Sequence, residues 1–269
     1  MTTPEDVPRR PRHEVRDDAT VQGHMLLARL GKRVLRPGGL ELTTAMLDHV
    51  PISGADVVEL APGLGRTAAE IIARRPGAYT GVDRDPGAVD AVDNVVRGYG
   101  SARLGTASDT GLDDSCADVV IGEAMLTMQS DDMKRSIVAE AVRLLRPGGR
   151  YAIHELGLFP DTLDDAVAAD IQRSLAQAIR VNARPLTLGE WRALLTAAGL
   201  EVEWVRTAAM ALLQPRRVIA DEGLVPALRF AVRVLTRRDA RRRVVDMRRT
   251  FRRYEANLVA VSFVARKPA

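Results

Sequence analysis

Short apolar runs alternate with amphipathic segments along most of this chain. The runs are rich in Val, Ile and Leu and predict buried strands, whereas the segments between them repeat their apolar residues at helical spacing. The predicted strands cover residues 57–60, 79–83, 102–106, 117–122, 150–156, 201–210 and 258–264. The predicted helices cover residues 20–35, 40–49, 67–75, 86–97, 131–145, 163–179 and 187–198. Strands that alternate with helices in this way predict an α/β fold with a parallel, doubly wound sheet.

Two further regions lie outside this alternating pattern. The first is a polar, proline- and arginine-containing start, and the last is an arginine-rich helical stretch that precedes the final strand. In that stretch an apolar stripe is formed by Leu224, Leu228, Ala231, Val232 and Leu235. We expect this stripe to face the protein at the substrate pocket, as the inner side of a lid whose arginines lie in water. The chain therefore divides into a disordered basic leader (1–18), an N-terminal helical cap (19–50), a core (51–214 and 256–269) and a helical lid insertion (215–255).

Composition and charge narrow the classes of protein to which this chain can belong. The 269 residues are 46% hydrophobic and 28% charged, as in ordinary globular proteins. The net charge is +4, but residues 215–255 hold 13 arginines against 5 acidic residues, so this segment carries +8 and the remainder −4. A single cysteine, Cys116, allows no internal disulfide and no cysteine metal cluster, and we expect no metal. No apolar segment suits a signal peptide or membrane span, so the expected location is cytoplasmic.

The stretch from Val57 to Ala68 carries the most specific chemistry. A buried strand leads into a turn with Gly63 and Gly65, and a helix follows whose first N–H groups are free. The next strand ends at Asp83, where an acidic side chain typically binds ribose hydroxyls. These features predict an adenosine-containing cofactor at the carboxyl end of the sheet. The turn also fits the G-x-G-x-x-A pattern of nicotinamide and flavin enzymes, but that match alone is weak.

Additional residues favour a different cofactor. Glu59 precedes the turn to give E-x-A-x-G-x-G, and a helix leads through Leu145-Arg146-Pro147-Gly148-Gly149 into a strand. An isolated strand closes the chain. Together these residues resemble the class I S-adenosylmethionine-dependent methyltransferases, nearest the small-molecule branch that includes the quinone C-methyltransferases. The resemblance covers residues 52–199 and the final strand, and it implies a seven-stranded Rossmann-like sheet whose last strand is antiparallel.

The resemblance also implies site residues. S-adenosyl-L-methionine would be the cofactor, and its ribose would be held by Asp83. The expected cofactor-binding residues are Glu59, Ala61, Pro62, Gly63, Gly65, Asp83, Arg84, Ala107, Ser108, Glu123 and Ala124. The expected substrate residues are His24, Arg36, Met125 and Met128. Ala61 stands where the family's pattern commonly has glycine, and Thr106 where it commonly has Asp.

His154 and Glu155 are the expected catalytic pair. They end a central strand, and the carboxyl ends of parallel strands face the ligand crevice. A sulfonium methyl group is already activated, so a base is needed only when the accepting atom carries a proton. The alternative is that one of the two packs beneath a helix and the other binds a loop.

The expected function is methyl transfer to a small, hydrophobic molecule. Two alternatives stay open: an RNA methyltransferase that uses the arginine-rich segment, and a binding protein that holds S-adenosylmethionine without transferring its methyl group. Nucleic acid is disfavoured because the segment has few aromatic residues for base stacking. An interfacial helix that touches anionic lipid is a further interpretation of this segment. The oligomeric state is open, and a homodimer is one option.

Overall fold

The computed structural model describes Asp18 and residues 20–269, and its centre is one twisted sheet. The strands are β1 (Asp56–Leu60), β2 (Ala78–Asp83), β3 (Gly100–Leu104), β4 (Ala117–Glu123), β5 (Leu145–Leu158), β6 (Leu186–Thr187), β7 (Glu201–Ala209) and β8 (Leu258–Arg266). Seven of them follow the order β3-β2-β1-β4-β5-β8-β7, and the two-residue β6 pairs with β5. Only β8 runs antiparallel to its neighbours β5 and β7. The predicted Rossmann-like fold is therefore confirmed.

Helices cover both faces of this sheet. They are α1 (Gly23–Arg29), α2 (Gly39–Leu47), α3 (Arg66–Ala73), α4 (Pro86–Val96), α5 (Asp131–Leu144), α6 (Asp165–Ile179), α7 (Leu188–Ala197), α8 (Pro215–Glu222), α9 (Leu224–Thr236) and α10 (Arg238–Arg253). The central strands are buried on both faces, which explains their continuous apolar sequence. The predicted capping box is present, because Thr187 and Glu190 satisfy each other's backbone N–H groups at the start of α7.

Most of the predicted bounds lie within two residues of the observed ones, but two elements differ by more. β5 begins at Leu145 and not at Arg150, because Leu145 already pairs with Ala117 before a bulge. The Pro147-Gly148-Gly149 sequence therefore lies within the strand. The first helix is shorter than expected and ends at Arg29, where Gly31 adopts a positive φ of 101°.

The arginine-rich segment forms three helices, α8 to α10, and its apolar stripe points outward. Leu224, Leu228, Val232 and Leu235 are between 50% and 72% exposed, whereas Ala227 and Phe230 form the buried side of α9. The prediction that this stripe faces the protein is wrong, because helical spacing identifies a stripe without saying what covers it. Instead, α10 packs on α6, and its Val244 and Met247 side chains are buried.

The other predictions about regions of the chain stay predictions. Apart from Asp18, the predicted leader lies outside the described residues. The division into cap, core and lid stays a prediction, and so does lipid contact by the arginine-rich segment. Among the helices that the structure describes, none combines the length and hydropathy that crossing a bilayer requires.

Buried polar contacts connect α8 to the segment between α1 and α2. Glu222 Oε1 accepts the backbone N–H groups of Arg33 and Val34, each at 2.7 Å. The fully buried Lys32 lies 3.7 Å from the same carboxylate and 3.8 Å from Asp221. Burial lowers the pKa of Lys32, although both carboxylates oppose that shift. The position of the N-terminal segment thus depends on α8.

We expect Glu222→Ala to destabilise the protein by about 3 kcal/mol, because it leaves one buried and one part-buried N–H group without their acceptor and removes one of the two carboxylates beside the buried Lys32. Urea unfolding followed by circular dichroism measures this loss. Glu201→Ala, at an exposed ion pair with Arg266, is the matched control and should cost no more than about 1 kcal/mol. Equal losses in the two variants would contradict the stabilising role of Glu222.

Candidate active site

The turn between β1 and α3 forms an open backbone cradle. Ala61, Gly63 and Gly65 all have positive φ, of 54°, 58° and 72°. A Cβ at Gly63 would meet no atom closer than the Ala61 carbonyl oxygen at 4.0 Å, so space above this residue is free. A Cβ at Gly65 would instead press on Val95 at 3.2 Å. Gly63 therefore leaves room for a ligand, whereas Gly65 allows α3 to pack on α4.

Asp83 ends β2 beside this cradle. Its Oδ2 accepts the N–H of Gly63 at 3.0 Å, and its Oδ1 accepts the N–H of Asp85 at the same distance. The side chain is only 8% exposed. Two backbone bonds thus fix the carboxylate at the rim of the cradle. Each oxygen retains lone pairs, which suits the predicted contact with ribose hydroxyls.

Glu59 lies beneath the cradle and is held by a tyrosine. Its Oε2 accepts the hydroxyl of Tyr79 at 2.7 Å, and the side chain is 3% exposed. Burial raises the pKa of Glu59 to about 8, although the Tyr79 hydrogen bond acts in the opposite direction. Glu59 is therefore protonated at neutral pH in the unliganded protein.

A second buried carboxylate, Glu123, joins four parts of the chain. Arg36 Nη1 donates to it at 2.6 Å, Thr43 Oγ1 at 2.5 Å and His154 Nδ1 at 2.9 Å. Thr67, in the first turn of α3, donates a further short hydrogen bond. Burial alone would raise the pKa of Glu123, but Arg36, His154 and Thr43 overcome that effect and hold it at about 2. The carboxylate is ionised and fully engaged.

Hydrogen bonds also define which ring nitrogen of His154 carries the proton. Its Nε2 accepts the N–H of Gly38 at 3.0 Å, so the ring proton resides on Nδ1 and points to Glu123. The side chain is fully buried. Neither nitrogen has a free lone pair for a substrate, and these contacts favour a positioning role for His154. Its catalytic role stays a prediction that the geometry does not support.

Glu155 is engaged in a different way. Its carboxylate accepts the backbone N–H groups of Met125, Leu126 and Thr127, and also the Thr127 hydroxyl at 2.6 Å. These bonds cap the short 3-10 turn Leu126–Met128 that follows β4. Burial raises the pKa of Glu155, and the four donors act against that increase. The side chain shapes the loop after β4, and its predicted catalytic role likewise stays untested.

An apolar cavity opens beside Ala124, the residue that follows β4. It contains about 690 Å³ of empty space, part of which is open solvent. His24 and Met128, two of the predicted substrate residues, line it. The remaining walls come mostly from α1, α6, α10 and the segment between β7 and α8, and they are mostly apolar, including Leu27, Leu175, Ile179, Met210, Leu212 and Phe251. The cavity therefore extends from the cofactor edge of the sheet to the late helices.

The other predicted site residues lie at several places. Arg36 contacts Glu123 rather than the cavity, and Met125 packs in the core. Ala107 and Ser108 are half-buried in the loop after β3, where an adenine contact is expected. The remaining two are Pro62, within the cradle turn, and Arg84, exposed next to Asp83.

Sequence reasoning missed three contributors to the Glu123 cluster. They are Gly38, Thr43 and Thr67, which contact His154 or Glu123 from the cap and from α3. Among these three, only Thr67 had a signal in the sequence, because it is a threonine in the first turn of the helix that follows the glycine turn. The two cap residues could not be found, because their distance along the chain from β4 hides the contact.

Comparison with known proteins identifies the domain. Residues 58–153 match the family model described as a methyltransferase domain. This chain carries a methyltransferase domain. The match runs from within β1 to within β5 and so includes the cradle, Asp83, Thr67 and Glu123, whereas Arg36, Thr43 and His154 lie outside it. The domain and the class I fold support an S-adenosylmethionine-dependent methyltransferase, with S-adenosylmethionine as cofactor, and the open cradle fits that assignment.

Solved structures share the fold at low sequence identity. The [4+2]-cyclase SpnF has a TM-score of 0.69 at 15% identity, with 92% of this chain and 95% of that chain covered. A Haemonchus contortus phosphoethanolamine N-methyltransferase 2, bound to S-adenosylhomocysteine, has a TM-score of 0.70 at 15% identity. There the match covers 95% of this chain but 59% of that protein. Because one of these proteins is a cyclase, the fold alone does not define the reaction.

A relative in Haemophilus influenzae is similar over nearly its whole length. It is 29% identical over 251 residues, which cover 91% of this chain and 98% of that protein. The relative is itself described as uncharacterized, so it contributes no substrate.

The unusual state of Glu59 predicts a pH dependence of stability. Its folded pKa of about 8 lies above the ordinary value of 4.5, so the stabilisation is complete below pH 4.5 and is lost as the pH rises to about 8. We expect the free energy of unfolding to fall by up to about 4–5 kcal/mol across this range. Glu59→Gln, which cannot ionise, should lack this decline.

Urea unfolding of the unliganded protein at pH 5, 6, 7 and 8 measures the effect. Glu201→Gln, at an exposed position, is the control and should keep the wild-type slope. A Glu59→Gln variant with the same slope as the wild type would show that Glu59 ionises normally.

Proposed function

We propose that this protein transfers a methyl group from S-adenosylmethionine to a small, largely apolar molecule. The observation that carries the proposal is the position of the apolar cavity, which shares Ala124 with the cofactor edge of the sheet. In the resembling family this part of the chain faces the sulfonium, so an acceptor in the cavity would lie next to the methyl group. Aliphatic walls suit an apolar acceptor and exclude the water that would compete with it.

His24 is the group best suited to take a proton from such an acceptor. It lines the cavity from α1, and its side chain has no hydrogen-bond partner among the described residues. Burial lowers the pKa of His24, and the nearby Arg84 lowers it further. A neutral imidazole beside the cavity can act as a base for a hydroxyl or an acidic carbon. Glu155 is the other titratable residue in the cavity wall, and its oxygens are already engaged.

Comparison with solved structures adds support of a limited kind. A geranyl diphosphate methyltransferase in complex with its substrate and sinefungin has a TM-score of 0.60 at 16% identity, with 85% of this chain and 77% of that chain covered. That enzyme acts on an apolar chain within the same fold. A quinone acceptor, as in the branch that the sequence resembles, is one apolar molecule of suitable character.

The alternatives make different predictions. An RNA methyltransferase would need an open basic groove at the cofactor edge, whereas the cavity there is apolar. A protein that binds S-adenosylmethionine without turnover would give no S-adenosylhomocysteine with any acceptor. The [4+2]-cyclase among the similar structures is described by a reaction other than methyl transfer.

Calorimetric titration tests the cofactor and Asp83 together. We expect S-adenosylmethionine to bind and NAD not to bind, and Asp83→Ala to weaken the binding at least about tenfold because ribose loses a charged acceptor. Asp109→Ala, at an exposed position in the loop after β3, is the control. Unchanged affinity in Asp83→Ala would contradict the cofactor position.

Formation of S-adenosylhomocysteine with apolar phenols and quinols then tests the transfer of the methyl group.

His24→Asn tests the proposed base. For an acceptor with a hydroxyl, we expect kcat to fall about 100-fold with S-adenosylmethionine affinity unchanged. Because the pKa of His24 is lowered from 6.5, the wild-type rate should stay level from pH 8 to below pH 6.5 before it declines. His49→Asn, at a remote exposed position, serves as control. A His24→Asn enzyme with wild-type kcat would leave alignment alone as the source of catalysis.

A further inference from the structure

A groove lined by arginines lies next to the apolar cavity. It has about 1,000 Å³ of empty space, including open solvent, between residues 210–216 and the end of α10. Arg216, Arg248 and Arg252 line it, and we call it the arginine groove. All three side chains are exposed, and none has a carboxylate partner among the residues that the structure describes. Other arginines of the same segment, such as Arg217 and Arg249, do have acidic partners.

The start of α8 adds to this positive region. Gln214 is its N-cap and Pro215 its first residue, and no side chain caps the free N–H groups of the first turn. Both residues line the groove. Free N–H groups and the positive end of the helix dipole favour an anion at this position. Glu255 is the one acidic residue in the groove wall, and Gln214 donates to it at 3.3 Å.

The arginine groove and the apolar cavity have a common wall. Met210, Leu212 and Phe251 line both of them. A single elongated molecule could therefore occupy the two spaces if these side chains part. Its apolar portion would lie near Ala124, and its other end would reach the three arginines.

From this arrangement we infer that the acceptor is amphipathic and that the arginine groove binds its anionic group, a phosphate, diphosphate or carboxylate. The inference rests on the proposed function, because it extends the same acceptor site. Arginine forms paired, charge-assisted hydrogen bonds with such groups, and three unpaired arginines at one groove would otherwise repel one another. The groove thus selects an acid-bearing apolar molecule over a neutral one.

Binding of decyl phosphate below its micelle concentration tests this inference, with 1-decanol as the neutral comparison. Calorimetry should show tighter binding of decyl phosphate to the wild-type protein, and salt should weaken only that binding. In the triple variant Arg216→Ala, Arg248→Ala, Arg252→Ala we expect a loss of at least about tenfold for decyl phosphate and little change for 1-decanol.

The matched control is Arg238→Ala, Arg241→Ala, Arg242→Ala, which removes the same charge from exposed positions on α10 outside the groove. Its decyl phosphate affinity should stay within about twofold of the wild type. Equal losses in the two triple variants, or wild-type binding of decyl phosphate no tighter than that of 1-decanol, would overturn the inference. Titration with S-adenosylmethionine separates the two proposals, because the groove variant should bind the cofactor normally even if no anionic ligand binds.

The anionic group could belong to a dispersed molecule or to a lipid in a bilayer. Vesicles of phosphatidylglycerol and phosphatidylcholine distinguish these sources. If the groove variant loses vesicle binding but binds monomeric decyl phosphate like the wild type, the groove is not an acceptor site and the inference is wrong. Loss of decyl phosphate binding with vesicle binding unchanged supports it.

Discussion

The buried carboxylate of Glu123 is the contact on which the active-site region depends. An ionised group away from water needs donors on every side, and Glu123 receives them from the cap, from α3 and from β5. Because Arg36 and Thr43 belong to the cap, the cap can take its observed position only where these donors reach the end of β4. This electrostatic requirement and the contacts of Glu222 with Arg33 and Val34 together position the N-terminal segment over the sheet.

The hydrogen bonds that Glu123 requires also determine which side chains remain available for chemistry in the apolar cavity. His154 donates a hydrogen bond from Nδ1 to Glu123, and its Nε2 accepts the backbone N–H of Gly38. Glu155 accepts backbone N–H groups and so shapes the turn after β4. The polar groups nearest the sheet thus hold the structure together, and the space beyond them is lined by aliphatic side chains. His24, on the cap, is the residue there that combines a titratable ring with free nitrogens. Catalysis by proton removal would therefore come from the cap, whose position Glu123 fixes.

Much of the fold could be predicted from the sequence, because strand and helix periodicity is a local property. The alternating elements, the glycine turn, Asp83 at the end of β2 and the capping box at Thr187 were all predicted in the right places. The prediction that was wrong concerned which surfaces of the structure pack against one another. The stripe on α9 was expected to be buried and is exposed, since the pattern reveals an apolar face but not its neighbour. The catalytic role of His154 stays a prediction, and the sequence could not indicate the contacts that its ring makes with Gly38 and Glu123, which are distant in the chain.

The central claim is that the methyl donor lies over the glycine turn with its sulfur directed into the apolar cavity. A crystal structure with S-adenosylhomocysteine bound tests this most directly. The account predicts ribose hydroxyls on the Asp83 carboxylate, backbone contact at Gly63, and the sulfur next to Ala124, facing the side of the cavity that His24 and Met128 line. A ligand whose sulfur points away from that cavity, or whose ribose lies elsewhere than at Asp83, would contradict it.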